Sequence, residues 1–265
     1  MTTTASRASR STGVPRWLRR LSGPAVILLA WWVVTATGIV NTDHLPSPGS
    51  VWDAGVELTR SGDLPRAIWA SFKRVLVGTL IGVSVGAAIA VIAGLTRRGD
   101  DFLDPTMQIV KAIPKYSLLP LFIIWLGIDE TPKIVLIALV TATPVYVNTF
   151  SAIRAVDQRL VDAARSLGLG STGLVRNVVL PGSLPGFFSG LRISIPAAWL
   201  ALIVAEQINA QNGLGRLMND ARSFYRVDWM LLIVVVYAVL GLLSLGLVRL
   251  LERRFLQWRE GFQGE

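Results

Sequence analysis

The stretch Asp162-Ala163-Ala164-Arg165-Ser166-Leu167-Gly168, followed after nine residues by Val178-Val179-Leu180-Pro181, is a charged, helix-forming loop lodged between strongly apolar segments. Apolar residues at Val156, Leu160, Ala163, Ala164 and Leu167 fall on one helical face, with Asp157, Arg159, Asp162, Arg165 and Ser166 around the rest. Gly168 is placed to end this helix in a left-handed cap. Ser171 or Thr172 can cap a second short helix, in which Leu174 and Val175 pair with Val178 and Val179 at i, i+4. Pro181 and Pro185 then keep the helix over 174–180 from running straight into the next apolar segment. The predicted unit is helix, turn, helix, lying flat below a membrane. Ala163 and Ala164 give it a smooth face, Leu174, Val175 and Val178 supply apolar knobs, and Asp162, Arg165 and Arg176 can orient docking. An amphipathic helix resting on lipid is the alternative, but such helices are typically Lys-rich with Trp or Phe on the apolar face, and this one is not.

The flanking sequence explains why a membrane is invoked. Of the 265 residues, 52% are hydrophobic and only 16% charged, so the charged surface of a soluble domain is missing. Charge-free runs at 21–42, 75–96, 134–153 and 229–248 each reach the roughly 20 residues that cross about 30 Å of hydrocarbon. Two further spans are interrupted: 103–128 by Lys111, Pro114, Lys115 and Pro120, and 183–206 by Arg192 and Pro196. Irregular backbone at membrane depth is tolerated against protein or a water-filled cavity. The expected fold is therefore an all-α, polytopic bundle of six spans. Its expected parts are a disordered basic cytosolic tail over 1–20, a first transmembrane helix over 21–42, a transmembrane domain over 64–250 that includes the loop 154–182, and a cytosolic tail over 251–265.

Gly78, Gly82, Gly86, Ala90 and Gly94 form a row of small residues at i, i+4 along the second span, a device for close helix packing in lipid. With both termini inside, the inner segments carry 15 basic residues and the outer ones 8, which places Asp162 in the cytoplasm. The Arg/Ser/Thr-rich start could be read as a transit or signal peptide. The run after Arg20 is long enough to span and lacks a convincing cleavage site, so a topology-fixing tail is the plainer account.

Several function classes drop out. Cysteine is absent, and the single His44 sits in a polar loop, so thiolate metal sites and His clusters are excluded. The net charge of +9 is spread beside the spans rather than gathered for nucleic acid. No Ser/His/Asp, Cys/His or paired-carboxylate arrangement offers catalysis. Gly168-Leu169-Gly170-Ser171-Thr172-Gly173 is glycine-rich but lacks the Lys of a nucleotide-binding P-loop. Ionisable residues within spans are default functional candidates. Lys111 and Lys115 could favour an anion near the path or snorkel to an interface. Tyr116, Trp125, Thr143, Asn148, Trp199 and Glu206 are further candidates for lining the path.

The loop resembles the "EAA" signature of ATP-binding-cassette (ABC) importer permeases, with Asp162 for the usual Glu and Val178 for the usual Ile. The resemblance covers roughly residues 45–260 and takes in Leu45-Pro46-Ser47-Pro48, Lys111-Ala112-Ile113-Pro114-Lys115, Trp125-Leu126-Gly127-Ile128, Val204-Ala205-Glu206-Gln207-Ile208, Gly213-Leu214-Gly215 and Leu250-Leu251-Glu252-Arg253-Arg254. It is most similar to the sulfonate, taurine and nitrate subgroup, and within it to aliphatic-sulfonate permeases. Taurine, nitrate or bicarbonate, and a thiamine-pyrimidine precursor are the alternative cargoes; an ion-coupled secondary transporter is the alternative of another class. The resemblance implies a coupling loop in which Asp162, Ala163, Ala164, Arg165, Gly168, Leu174, Val178, Leu180 and Pro181 meet a cytoplasmic ABC ATPase dimer. It also implies an external solute-binding protein, a second permease copy forming a homodimer, and a place in the bacterial plasma membrane. No cofactor is expected in this chain, ATP and Mg being bound by the ATPase.

Overall fold

The computed structural model describes residues 16–38, 40–41 and 44–257, and every regular element among them is helical. The order is α1 (Arg16–Ala36), α2 (Pro48–Arg60), α3 (Asp63–Leu95), α4 (Arg97–Ala112), a 3-10 turn (Lys115–Leu118), α5 (Leu119–Leu126) and α6 (Glu130–Arg154). There follow α7 (Gln158–Ser166), α8 (Ser171–Leu174), a π-helical turn (Val175–Val179), α9 (Leu180–Asn209), α10 (Leu214–Ser223) and α11 (Val227–Phe255). Of the terminal tails expected from the sequence, residues 1–15 and 258–265 lie outside the described residues. Helix α1 already begins at Arg16, and α11 runs past 250 to Phe255.

Among the described residues, four stretches are long and apolar enough to cross a bilayer: Asp63–Leu95, Glu130–Arg154, Ser171–Ile208 and Val227–Phe255. These account for four of the six expected spans. The span predicted at 103–128 is broken, because α4 and the Lys115–Leu126 segment meet at 84°. Pro114 causes the break: its ring disfavours helical backbone at the preceding residue, and Ile113 sits at φ −68°, ψ 131°. The first predicted span is shorter than expected, since the apolar part of α1 is Ser22–Ala36 and Gly38 leaves the helical conformation at φ +69°.

Helix α6 is the axis of the bundle, and small residues on both neighbours let it be. A Cβ on Gly78 would lie 2.7 Å from Ile137 Cβ, and one on Gly94 2.7 Å from Ile153 Cγ2. Between them, Gly82 faces Thr141 and Ala138, and Gly86 faces the Ala142 backbone, so the glycine row of α3 is the groove into which α6 packs. On its other side, Gly186 and Gly190 of α9 press against Asn148, Ala152 and Pro144, a Cβ at Gly190 falling 2.8 Å from the Pro144 carbonyl oxygen. Leu136, Ile137, Val145 and Tyr146 of α6 are consequently fully buried. Val234, Val239, Leu242, Leu243, Leu247 and Leu250 of α11 instead face outward, as a lipid-contacting helix requires.

Candidate functional site

Two regions stand at opposite ends of α6. At its C-terminal end, Asp157 caps α7 by accepting from the Arg159 amide at 2.9 Å. The helix stops in a Schellman motif: Leu169 N–H reaches the Ala164 carbonyl at 3.1 Å, Gly168 N–H reaches that of Arg165 at 2.9 Å, and Gly168 has φ +84°. The apolar residues predicted to share one face divide between two. Val161 and Ala164 turn inward onto Ile153, Leu174 and Val179, with Val156, Leu169 and Val178 packed beside them. Leu160, Ala163 and Leu167 point out, with Leu160 59% and Leu167 81% exposed, beside exposed Asp162 and Arg165. Leu174 and Val178, predicted as outward knobs, are thus part of the support beneath α7. The outward apolar stripe is i, i+3, i+7.

The second short helix also differs from expectation. Gly170, not Ser171 or Thr172, is the N-cap residue, and the helix runs unbroken from Ser171 into α9. Pro181 and Pro185 do not separate them. A proline ring strikes the carbonyl one turn back, and the chain answers by widening to a π turn, where Leu180 N–H donates to the Val175 carbonyl. Leu180 and Pro181 therefore begin α9, half-buried.

Five of the eight residues predicted along a path come together. Lys111, Lys115, Tyr116, Thr143 and Asn148 line one groove of about 470 Å³, floored by Val140, Pro144 and Val147. It lies between the α4–α5 break and one face of α6. Asn148 Nδ2 donates to the Pro144 carbonyl at 2.9 Å, and Lys115 Nζ donates to that of Lys111 at 3.3 Å. The other three lie elsewhere. Trp125 is exposed on α5. Trp199 is core, its Nε1 donating to Ser244 Oγ at 3.2 Å and tying α9 to α11.

Glu206 is fully buried at the end of α9, in a polar cluster that the sequence did not suggest. Ser71 Oγ donates to its carboxylate at 2.7 Å, the Gly215 amide at 2.8 Å and Tyr237 OH at 3.3 Å, while Arg74 Nη1 forms an ion pair with it. Ser71 Oγ in turn accepts from Leu214 N–H at 3.0 Å. Arg74 also grips Glu130, the first residue of α6, through Nε and through Nη2 at 2.7 Å, and donates to Asn212. Lys133 Nζ stands 3.6 Å from Glu130. The span limits 75–96 and 134–153 left Arg74 and Lys133 in external loops; the structure puts both inside helices, almost fully buried. A signal was present, since Arg74 is one helical step before Gly78 and so continues the row that meets α6. Gly213 (φ +104°) and Gly215 complete the site, for a side chain at either would run into Glu206.

The family described as binding-protein-dependent transport system inner membrane component matches residues 78–257. A putative aliphatic sulfonates transport permease of Bacillus subtilis (strain 168) is 39% identical, covering 94% of this chain and 90% of its own. One of the same name in Escherichia coli (strain K12) is 40% identical, covering 95% and 97%. In fold, the chain is similar to a subunit of the methionine ABC transporter MetNI in an inward-facing form, with a TM-score of 0.64 and 22% identity over 74% of this chain and 98% of that one. The chain belongs to the family of binding-protein-dependent transport system inner membrane components, and it is a multi-pass transport permease of the ABC importer type rather than an enzyme.

Proposed function

We propose that this permease passes a small organic anion of the aliphatic-sulfonate class, delivered by an external solute-binding protein and driven by a separate cytoplasmic ABC ATPase dimer. The observation that carries the anion reading is the groove holding Lys111 and Lys115 beside Tyr116, Thr143 and Asn148. Two ammonium groups in a partly apolar cleft favour a monoanion over a neutral or cationic solute. The names of the Bacillus subtilis and Escherichia coli relatives point the same way. Cations and amides of this kind are costly against hydrocarbon, which supports a second copy of the chain closing the groove.

The Leu160–Ala163–Leu167 stripe, fixed by a capped helix and flanked by Asp162 and Arg165, is the surface we assign to the ATPase, with α7 and both termini in the cytoplasm. Asp162, Ala163, Arg165 and Gly168 form or shape that surface. Ala164, Leu174, Val178, Leu180 and Pro181 act beneath it, by transmitting movement of α7 into α9. Motion is coupled only if these contacts differ between transport states.

The decisive test is uptake of radiolabelled ethanesulfonate by cells that depend on this chain, with unlabelled sulfonates, taurine, nitrate, bicarbonate and a pyrimidine precursor as competitors. Competition by sulfonates alone supports the reading; effective competition only by another of these solutes replaces sulfonate with that cargo. Because the chain has no native cysteine, Ala163→Cys reports orientation cleanly. Labelling from outside intact cells would overturn the proposed topology.

A further inference from the structure

The carboxylates that hold Arg74 are unequal. Glu206 is fully buried and receives hydrogen bonds from Ser71, Arg74, the Gly215 amide and Tyr237. Removing it would leave a charge uncompensated in the interior. Glu130 is half exposed, at 50%, and grips the Nε–Nη2 edge of the guanidinium as a two-point fork. That edge is the one Arg uses for bidentate recognition of an oxyanion. Glu130 can leave into water, and it keeps a favourable place for its charge because it opens α6, where the helix dipole is positive.

A cavity of about 290 Å³ lies at this fork, lined by Lys73, Arg74, Glu130 and Asn212. Lys73 and Asn212 also line a neighbouring cavity of about 640 Å³, together with Asp63, Arg66, Arg216 and Asp220. In that larger space Arg66 and Arg216 already have carboxylates, Asp63 at 3.1 Å and Asp220 at 3.5 Å. Among the described residues, Lys73 has no carboxylate in ion-pair range; its Nζ lies over the Trp69 ring, 5.9 Å from the ring centre. The approach therefore carries one surplus cation, next to an arginine fork occupied by a side chain able to withdraw.

We infer that Lys73, Arg74 and Asn212 form an entry site for a small oxyanion, with Glu130 as its built-in competitor. An arriving sulfonate exchanges with the Glu130 carboxylate on the Arg74 fork, one monoanion for another, so the buried charge balance with Glu206 is kept. The exchange frees the first turn of α6 from α3, which links occupancy at this end to the helix that leads directly into α7. The inference rests on the anion reading above for its cargo, while the residues and the exchange stand independently of which oxyanion is carried.

The test uses the full chain in lipid nanodiscs at fixed ionic strength, with radiolabelled ethanesulfonate as the probe. Glu130→Gln removes the competing charge and should tighten binding by about ten-fold, the scale of one lost charge-assisted pair. Lys73→Gln, at an exposed position that leaves the fork intact, should weaken binding by about three-fold or more. Affinity unchanged for ethanesulfonate, nitrate and bicarbonate alike in either folded variant overturns the site, even where sulfonate uptake is normal. Nitrate and bicarbonate are titrated in parallel. If Glu130→Gln binds one of these more tightly but not ethanesulfonate, the oxyanion site stands and the sulfonate reading falls.

Discussion

The amide of Leu169 donates to the carbonyl of Ala164 at 3.1 Å, closing α7 across Gly168, whose φ of +84° only glycine adopts at no steric cost. Among the described residues, no atom beyond its immediate chain neighbours lies within 4 Å of where a Cβ on Gly168 would be. A substitution there is therefore strained by backbone conformation alone. The left-handed conformation costs an ordinary residue about 1–2 kcal/mol, and a β-branched one more. Gly168→Val should abolish uptake while membrane abundance is unchanged, whereas Gly168→Asn, which tolerates this conformation, should keep most of it. Undiminished transport by the valine variant would separate α7 from coupling.

The two faces of α7 make opposite predictions. Leu160 and Leu167 are exposed and touch little in this chain, so Leu160→Ser with Leu167→Ser should leave thermal stability nearly unchanged and sharply reduce co-purification of the ATPase. Val161 is buried against the support of the loop, and Val161→Ser should destabilise by about 1–3 kcal/mol from lost apolar burial and an added hydroxyl. Retained ATPase binding in the double serine variant would remove the stripe from the interface.

How much of this was legible in the sequence differs by region, for physical reasons. The helix ending at Gly168 was readable because apolar periodicity and a left-handed stop are local, whereas its Asp157 cap came only with the structure. Its faces were not, since Leu160 and Val161 are neighbours and only the position of Ile153, Leu174 and Val179 decides which turns inward. Lys111, Lys115, Tyr116, Thr143 and Asn148 stood out as polar or aromatic residues in apolar runs. Arg74 and Lys133 were hidden because a hydropathy window ends a span at the first charge, while a buried ion pair lets the helix continue through it. Nothing local in Ser171–Pro181 announced a π turn, which is how a continuous helix accommodates Pro181.

The glycine row of α3 gives a graded prediction with internal controls. Gly82→Ala would place a methyl group on Thr141 and the Ala138 backbone, and should cost about 1–3 kcal/mol through overpacking. Gly241→Ala and Gly246→Ala on α11 meet nothing within 4 Å and should be neutral or slightly stabilising through helix propensity. Resistance to detergent-induced unfolding should therefore rank Gly246→Ala above Gly82→Ala. Equal resistance would mean that α3 and α6 are less closely packed than the geometry requires.

At the end of the bundle opposite α7, Arg226 clasps α2 to α11 by donating to Glu57 at 2.7 Å, with its guanidinium 4.6 Å from the Trp229 ring centre. The hydrogen bond from Arg226 holds the Glu57 carboxyl below its ordinary range. A depressed carboxylate contributes stability above its unfolded pKa and loses it as pH falls through the folded value, so the clasp holds at neutral pH and releases only in acid, below the ordinary carboxylate range. The pair is exposed, so the effect is small and weakens with salt. Spin labels on α2 and α11 should show a distance distribution that broadens on acidification, and Glu57→Gln should be broad already at neutral pH. An unchanged native distribution at low pH would show that the clasp does not position α2.

The Glu206 cluster should fail in the order of what each partner leaves unsatisfied. Tyr237→Phe removes one long hydrogen bond, 3.3 Å, and should cost about 0.5–1.5 kcal/mol. Ser71→Ala removes a donor to Glu206 and also orphans the buried Leu214 amide, which raises the cost to about 1–3 kcal/mol. Glu206→Ala takes the buried counter-charge from Arg74 and strands the Gly215 amide, Ser71 and Tyr237 together, for about 3–5 kcal/mol. Because these groups share one carboxylate, Ser71→Ala should cost little further in the Glu206→Ala background, a non-additivity that a double-mutant cycle reads directly. Additive losses would mean that the α9–α10 connection is held by its packing against α3 rather than by Glu206.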